Sequence, residues 1–167
     1  MRPKYYSQYD KPWNIFLYPS QELPKANIQS SGCGPTCFAM VRETLQKVKY
    51  TPIDAAKDSL KLGDRVNGGT SNKYFPDMAK KYKLSLVETS NLNRAILSLR
   101  YGKLVICLMH NWFGNGGGHF IVLWQAKNGR LYINDSASRT NTNLKTFPQS
   151  LFIEKCSKYF IFSNPDI

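Results

Sequence analysis

Residues 30–41 read Ser30-Ser31-Gly32-Cys33-Gly34-Pro35-Thr36-Cys37-Phe38-Ala39-Met40-Val41, and the rest of the chain is organised around them. Gly32 and Gly34 make a turn. Pro35 suits the first position of a helix, where a backbone N–H would be unpaired anyway. From there Cys37, Met40, Val41, Thr44, Leu45 and Val48 recur at helical spacing, which predicts a helix to about Val48 with that face buried. Cys33 then stands at the head of a helix, where unpaired amides and the positive dipole end favour a thiolate over a thiol. Cys37, one turn further, lies on the core-facing stripe and reads as an inert buried residue.

The 167 residues suffice for one domain with a proper core and not for two ordinary ones, so a single domain over 1–167 is expected. No apolar run reaches membrane-spanning length. The start, Met1-Arg2-Pro3-Lys4-Tyr5-Tyr6, lacks the apolar stretch of a signal peptide. The expectation is a secreted, phage-borne or cell-wall-associated protein, or a domain of a larger one. The net charge of +12 points to anionic partners such as acidic cell-wall polymers. The lysines are scattered, and no nucleic-acid-binding motif accompanies them. Four cysteines, Cys33, Cys37, Cys107 and Cys156, lack zinc-site spacing, and neither a metal nor a cofactor is expected.

Residues 4–19 read as an extended aromatic arm interrupted by Pro12 and Pro19, and 20–31 as a polar loop. Thr51-Pro52-Ile53-Asp54 is a helix start, with Gly63 as the stop. Gly68 to Ser71 reads as a loop, and a third helix is expected around 72–82. Leu84 to Glu88 alternates like a strand, and Asn91 caps a fourth helix that Gly102 stops. The second half changes character. Strands are expected at 103–109, 119–126, 130–134 and 158–163, with a glycine-rich loop at 110–118, a hairpin turn at Asn128-Gly129 and a short helix at 148–155. Helices followed by an antiparallel sheet indicate an α+β domain.

A cysteine nucleophile needs a base and a group to orient the base. The chain has two histidines. His119 opens a strand beside Gly116-Gly117-Gly118, at the mouth of a cleft. His110 gains no partner from local geometry. The Asn128-Gly129 hairpin brings the end of the following strand back to His119, so Asn134 or Asp135 lies near it, and side-chain alternation lets only one of them face the ring. Gly114 to Gly118 lacks the Lys-Ser/Thr of a phosphate loop.

Four segments occur in order: Tyr6-Ser7-Gln8-Tyr9-Asp10 with Trp13, Ser31-Gly32-Cys33-Gly34-Pro35-Thr36, Gly118-His119-Phe120-Ile121-Val122-Leu123, and Ile133-Asn134-Asp135. In this the chain resembles the papain-like cysteine peptidases related to bacteriocin-processing peptidases, family thirty-nine of the cysteine peptidases, in stand-alone form. The resemblance implies a papain-like fold, with a helical half carrying the nucleophile and a sheet carrying His and Asp. It implies Cys33 as nucleophile, His119 as base and then acid, Asp135 as the orienting group, and Gln8 as oxyanion donor, with Gln29 the alternative nearer in sequence. Trp112, Phe113 and Gly118 are expected to wall the substrate cleft. The substrate would be a Gly-containing leader peptide or a bacterial cell-wall peptide. Two other readings are a non-catalytic peptide-binding module of the same fold, against which the retained Cys33, His119 and Asp135 argue, and a basic nucleic-acid-binding domain, for which no motif speaks.

Overall fold

The computed structural model describes residues 1–165. Seven α-helices and eight strands follow in chain order: α1 Ile28–Ser31, α2 Cys33–Gln46, α3 Pro52–Leu62, β1 Arg65–Val66, β2 Gly69–Thr70, α4 Tyr74–Tyr82, β3 Ser85–Thr89, α5 Leu92–Leu99, β4 Leu104–Trp112, β5 Asn115–Lys127, β6 Arg130–Asp135, α6 Arg139–Asn143, β7 Phe147–Pro148, α7 Gln149–Lys155 and β8 Cys156–Ser163. The architecture is α+β. Six strands form one antiparallel sheet in the order β3-β8-β4-β5-β6-β7.

The sheet is covered on both faces. Against one lie α2 and α4, with Phe38, Met40, Phe75 and Met78 meeting Leu104, Ile106, Phe120 and Val122. Against the other lie α5 and α7, with Ala95 and Phe152 meeting Val105, Cys107, Ile121 and Leu123. Successive residues of β4 and β5 thus enter opposite cores, which is why these strands read as continuous apolar runs rather than as alternation. Burying one such aromatic or aliphatic side chain contributes about 1.5–3 kcal/mol.

Helix ends follow their local chemistry. Thr51 and Asp54 form a capping box on α3, and Gly63 closes it in the left-handed region at φ 75°. Asn91 caps α5 by accepting from the Arg94 amide. The polar loop expected at 20–31 contains a helix, α1, because Asn27 and Ser30 form a capping box. That helix runs almost directly into α2, and only glycine fits the junction. A Cβ on Gly32 would lie 2.7 Å from the Ile28 carbonyl oxygen. The helix that carries Cys33 also starts earlier than its proline suggests: Cys33, not Pro35, is its first residue.

Two expected loops are hairpins. The segment expected as a loop at 68–71 pairs as β1–β2, Arg65 opposite Thr70 and Val66 opposite Gly69. The glycine-rich loop expected at 110–118 is the β4–β5 hairpin, turning on Phe113-Gly114, both with positive φ (43° and 88°). That pair of angles matches the right-handed twist of the flanking strands. A bulge at Asn111, φ 51°, shifts the register between His110 and Trp112.

Candidate active site

Cys33 is half-buried at the head of α2. Its helix is held close to the β1–β2 hairpin, since a Cβ on Gly34 would lie 2.9 Å from Thr70 Cβ. His119 lies near the start of β5, 3% exposed. Asp135 ends β6, 1% exposed. The β5–β6 register pairs Asp135 with Ile121, two residues from His119 on the same face. His119 Nε2 lies 2.8 Å from Asp135 Oδ1. Cys33 and His119 line the same cleft, and each acts on the protonation of the other. Asn134 points to the other face, donating to the Pro3 carbonyl at 3.3 Å beside Met40. The choice between Asn134 and Asp135 is settled by strand alternation.

The Asp135 carboxylate accepts four hydrogen bonds. Oδ1 takes His119 and the Ala137 amide (2.9 Å), and Oδ2 takes the Trp112 indole N–H (2.9 Å) and the Asn141 side-chain amide (3.0 Å). Its main chain is also tied down, with Asp135 N donating to Thr142 Oγ1 at 2.8 Å and the Tyr5 hydroxyl donating to its carbonyl at 2.6 Å.

The electrostatics follow from this packing. Burial works to raise the Cys33 pKa, but the hydrogen bond and charge of His119, with the Phe120 and Gly34 amides, bring it below the usual thiol value. Burial would lower the His119 pKa, and the bonds to Asp135 and Cys33 instead raise it to about 10. Burial would raise the Asp135 pKa, and His119, Asn141 and the Ala137 amide hold it below the usual carboxylate range. The three groups favour thiolate, imidazolium and carboxylate together. Cys37, four residues from Cys33, is fully buried, donates to the Phe120 carbonyl at 3.2 Å, and is pushed well above the usual thiol value by burial.

A cleft of about 240 Å³ opens at the Cys33–His119 pair, and Gln8, Leu23, Gly68 and Gly118 are among its walls. Gln8 is 5% exposed, and its Nε2 donates to the Gln29 carbonyl at 2.8 Å. One Nε2 hydrogen is left over, and Oε1 has no partner among the described residues. The Gln29 side chain is exposed, and its main-chain carbonyl holds Gln8 in place.

Gly118 lines the cleft as expected, but Trp112 and Phe113 do not. Trp112 is 0% exposed and donates to Asp135. The bulge at Asn111 carries it to the face that holds Met109 and Ile121. Phe113 is 57% exposed on the hairpin turn, packed against Trp112 at 4.7 Å and Phe147 at 5.8 Å between ring centroids. His110 bonds to Ser157 Oγ at 2.6 Å, away from the cleft. Trp112, expected on the cleft wall, instead supports Asp135, and Asn141, in a polar run without periodicity, gives no sequence signal for its bond to the same carboxylate. Among the described residues no three His, Cys, Asp or Glu side chains gather as metal ligands, and no helix is long and apolar enough to cross a membrane.

The chain matches a family model described as the Peptidase_C39 like family over residues 3–162. Among solved structures it is similar to a putative C39-like peptidase from Bacillus anthracis, with TM-score 0.63 and 13% identity over 98% of this chain and 96% of that one. It is similar to the peptidase domain of Streptococcus ComA, a bifunctional ABC transporter of a quorum-sensing pathway (TM-score 0.59, 16% identity, 80% and 92% covered). It is also similar to a double-glycine-motif protease from an AMS/PCAT transporter, solved with its leader peptide (TM-score 0.55, 20% identity, 80% and 84% covered). At these identities the likeness is one of fold, and the fold is the α+β papain-like arrangement of these domains. No curated protein sequence matches the chain at a significant level.

Proposed function

Since the chain belongs to the Peptidase_C39 like family, we propose that it is a cysteine peptidase that cleaves peptide bonds through Cys33, His119 and Asp135, with Gln8 as oxyanion donor. The observation that carries the reading is the buried 2.8 Å His119–Asp135 bond beside a cleft that His119 shares with Cys33, a thiol at a helix N-terminus. A thiol with base and orienting group in line is what nucleophilic amide cleavage needs.

The steps follow from the protonation states. The Cys33 thiolate attacks the amide carbonyl carbon, forming a C–S bond and an oxyanion. The free Gln8 Nε2 hydrogen and the Cys33 main-chain N–H stabilise that oxyanion. His119 gives its proton to the amine as the C–N bond breaks, leaving a thioester. His119, now neutral, takes a proton from water as the water attacks the thioester. The C–S bond then breaks, and thiolate and imidazolium are restored. Asp135 holds the ring and supports its charge throughout.

The substrate is a peptide. The double-glycine-motif protease bound to its leader peptide supports a Gly-containing leader as the segment recognised. The +12 charge supports a second substrate reading, a peptide embedded in an anionic cell wall.

The test is iodoacetamide labelling near pH 6, mapped by peptide mass, with His119→Ala alongside. Cys37, Cys107 and Cys156 are internal controls. The expected result is fast labelling of Cys33 that slows in His119→Ala. Equal reactivity of Cys33 and its controls overturns the reading and favours a peptide-binding module.

A further inference from the structure

The cleft at Cys33 continues into a second hollow of about 390 Å³, and Leu23, Ser30 and Ser31 line both. The walls of the second hollow come from the turn that precedes α1 and from Ser30 and Ser31 of α1 itself. Leu23, Pro24 and Ala26 make them apolar, and Glu22 and Lys25 stand on the same turn with opposite charges. Leu23 is 50% exposed, at the place where the two hollows meet. Leu23, Pro24 and Ala26 lie outside all four motif segments.

A single exposed leucine calls for no explanation. This one is held where it stands. Ser20 N donates to the Leu23 carbonyl at 3.1 Å, and Leu23 N donates to Ser20 Oγ at 3.1 Å. Ala26 N returns to the Leu23 carbonyl at 3.2 Å. Tyr18 N donates to the Ala26 carbonyl at 2.8 Å, and Tyr18 is fully buried, so the turn is anchored in a core. From the other side Glu22 N donates to Asn67 Oδ1 at 2.9 Å. Asn67 lies between β1 and β2 and lines the cleft. One bond thus ties the Leu23 turn to the opposite wall of the cleft.

The two hollows differ in chemistry. Gly68, Gly69 and Gly118 bring no side chain to the cleft, so a peptide lying there meets backbone on those walls. The neighbouring hollow has apolar walls and room for a side chain. An extended peptide advances about 3.3 Å per residue and turns alternate side chains to opposite sides. A chain seated at Cys33 therefore sends a side chain from one fixed position into the neighbouring hollow. We propose that this hollow is a substrate subsite that takes one bulky apolar side chain of the peptide, at a position outside the pair that flanks the cut, and that Leu23 sets the preference. This rests on the reading of Cys33 as the nucleophile of a peptidase.

The experiment uses synthetic peptides with a central Gly-Gly pair, in which leucine, phenylalanine, serine, glutamate or lysine is placed in turn at each flanking position. Cleavage is read by mass spectrometry in the wild type, Leu23→Ala and Leu23→Asp. In the wild type, leucine or phenylalanine at one position is expected to raise kcat/KM about 10- to 100-fold over serine there. Leu23→Ala should lose most of that preference. Leu23→Asp should reverse it, with lysine now favoured at the same position and the other positions unaffected. A fall shared equally by all peptides overturns the proposal, because loss of structure does not choose among side chains. Iodoacetamide, too small to use the hollow, is applied to each variant as well. If Cys33 alkylation slows as much as cleavage, Leu23 acts on the nucleophile and the proposal is overturned. Cleavage by the wild type without preference at any position overturns the proposal and leaves the peptidase reading standing; the hollow then serves another partner or none. A wild type that cuts no peptide overturns it too, and the alkylation rate of Cys33 against Cys156 shows whether the nucleophile fails with it.

Discussion

Asp135 stands behind His119 and Gln8 lines the cleft itself, and the two are held in opposite ways. The Asp135 carboxylate is saturated, with four donors on two oxygens and its own backbone pinned at both ends. Gln8 is almost as buried, yet has one side-chain hydrogen bond, a spare N–H and an orphaned carbonyl oxygen. On the proposed mechanism the difference follows from what each group meets. A permanent buried charge needs every lone pair satisfied, and its saturation fixes the ring it touches. A group that meets a transient oxyanion has to keep a donor free until that charge appears. Unsatisfied buried polar atoms are uncommon in folded proteins and call for an explanation where they occur; Gln8 has one in the cleft.

The comparison breaks first at Asp135. Asp135→Ala leaves His119 buried without a partner, and the imidazolium loses its main support. Turnover of a cleaved peptide is expected to fall by about four orders of magnitude. The pH profile of Cys33 alkylation should change with it. In the wild type the lowered Cys33 pKa and the His119 pKa of about 10 favour the ion pair between them. Labelling of Cys33 is therefore expected to set in at a lower pH than that of an ordinary thiol. In Asp135→Ala its onset should move up towards that of an ordinary thiol. An unchanged onset in the variant would mean that Asp135 does not support the pair.

Gln8→Ala comes next. It removes one oxyanion donor and leaves the thiolate alone. The expected loss is about 100- to 1000-fold in kcat, with KM and the alkylation profile unchanged. If alkylation slows as well, Gln8 is holding the nucleophile rather than the oxyanion, and its incomplete hydrogen bonding needs another explanation.

What the sequence made legible, and what it hid, divides along the same line. Cys33 was visible because glycines, a proline and an apolar stripe are local signals. Asp135 was reachable because Asn128-Gly129 sets a register, and a register carries a residue across space with a period of two. Gln29 could not be separated from Gln8 by counting, because the bond between them joins a side chain to a carbonyl 21 residues away. Trp112 was misplaced by one residue of irregularity. Strict alternation from Met109 would put it on the opposite face, and the bulge at Asn111 reverses that. Bulges of this kind leave little trace in composition. The β1–β2 hairpin was lost for a related reason. It has no alternating apolar residues, and polar contacts from Arg65 and Thr70 hold it.

Trp112→Phe is the finest cut between the two ways of being held. The indole is fully buried and reaches Asp135 Oδ2, so the variant keeps most of the ring's packing and deletes one donor from a buried carboxylate. Leaving that oxygen with Asn141 alone should cost about 1–3 kcal/mol of stability. For a chain of this size that is several degrees in Tm. The sign with pH is fixed by Asp135. Its folded pKa is depressed, so its stabilisation is present above the unfolded carboxylate value and disappears as pH falls through the folded one. In the variant the folded pKa moves back towards the ordinary value. The stability gap between wild type and Trp112→Phe should therefore be full at neutral pH and shrink below about pH 4. A cleft wall would behave differently: the variant would raise KM and leave that pH-dependent gap absent. Thermal unfolding across this range, read beside KM, separates the two roles in one protein.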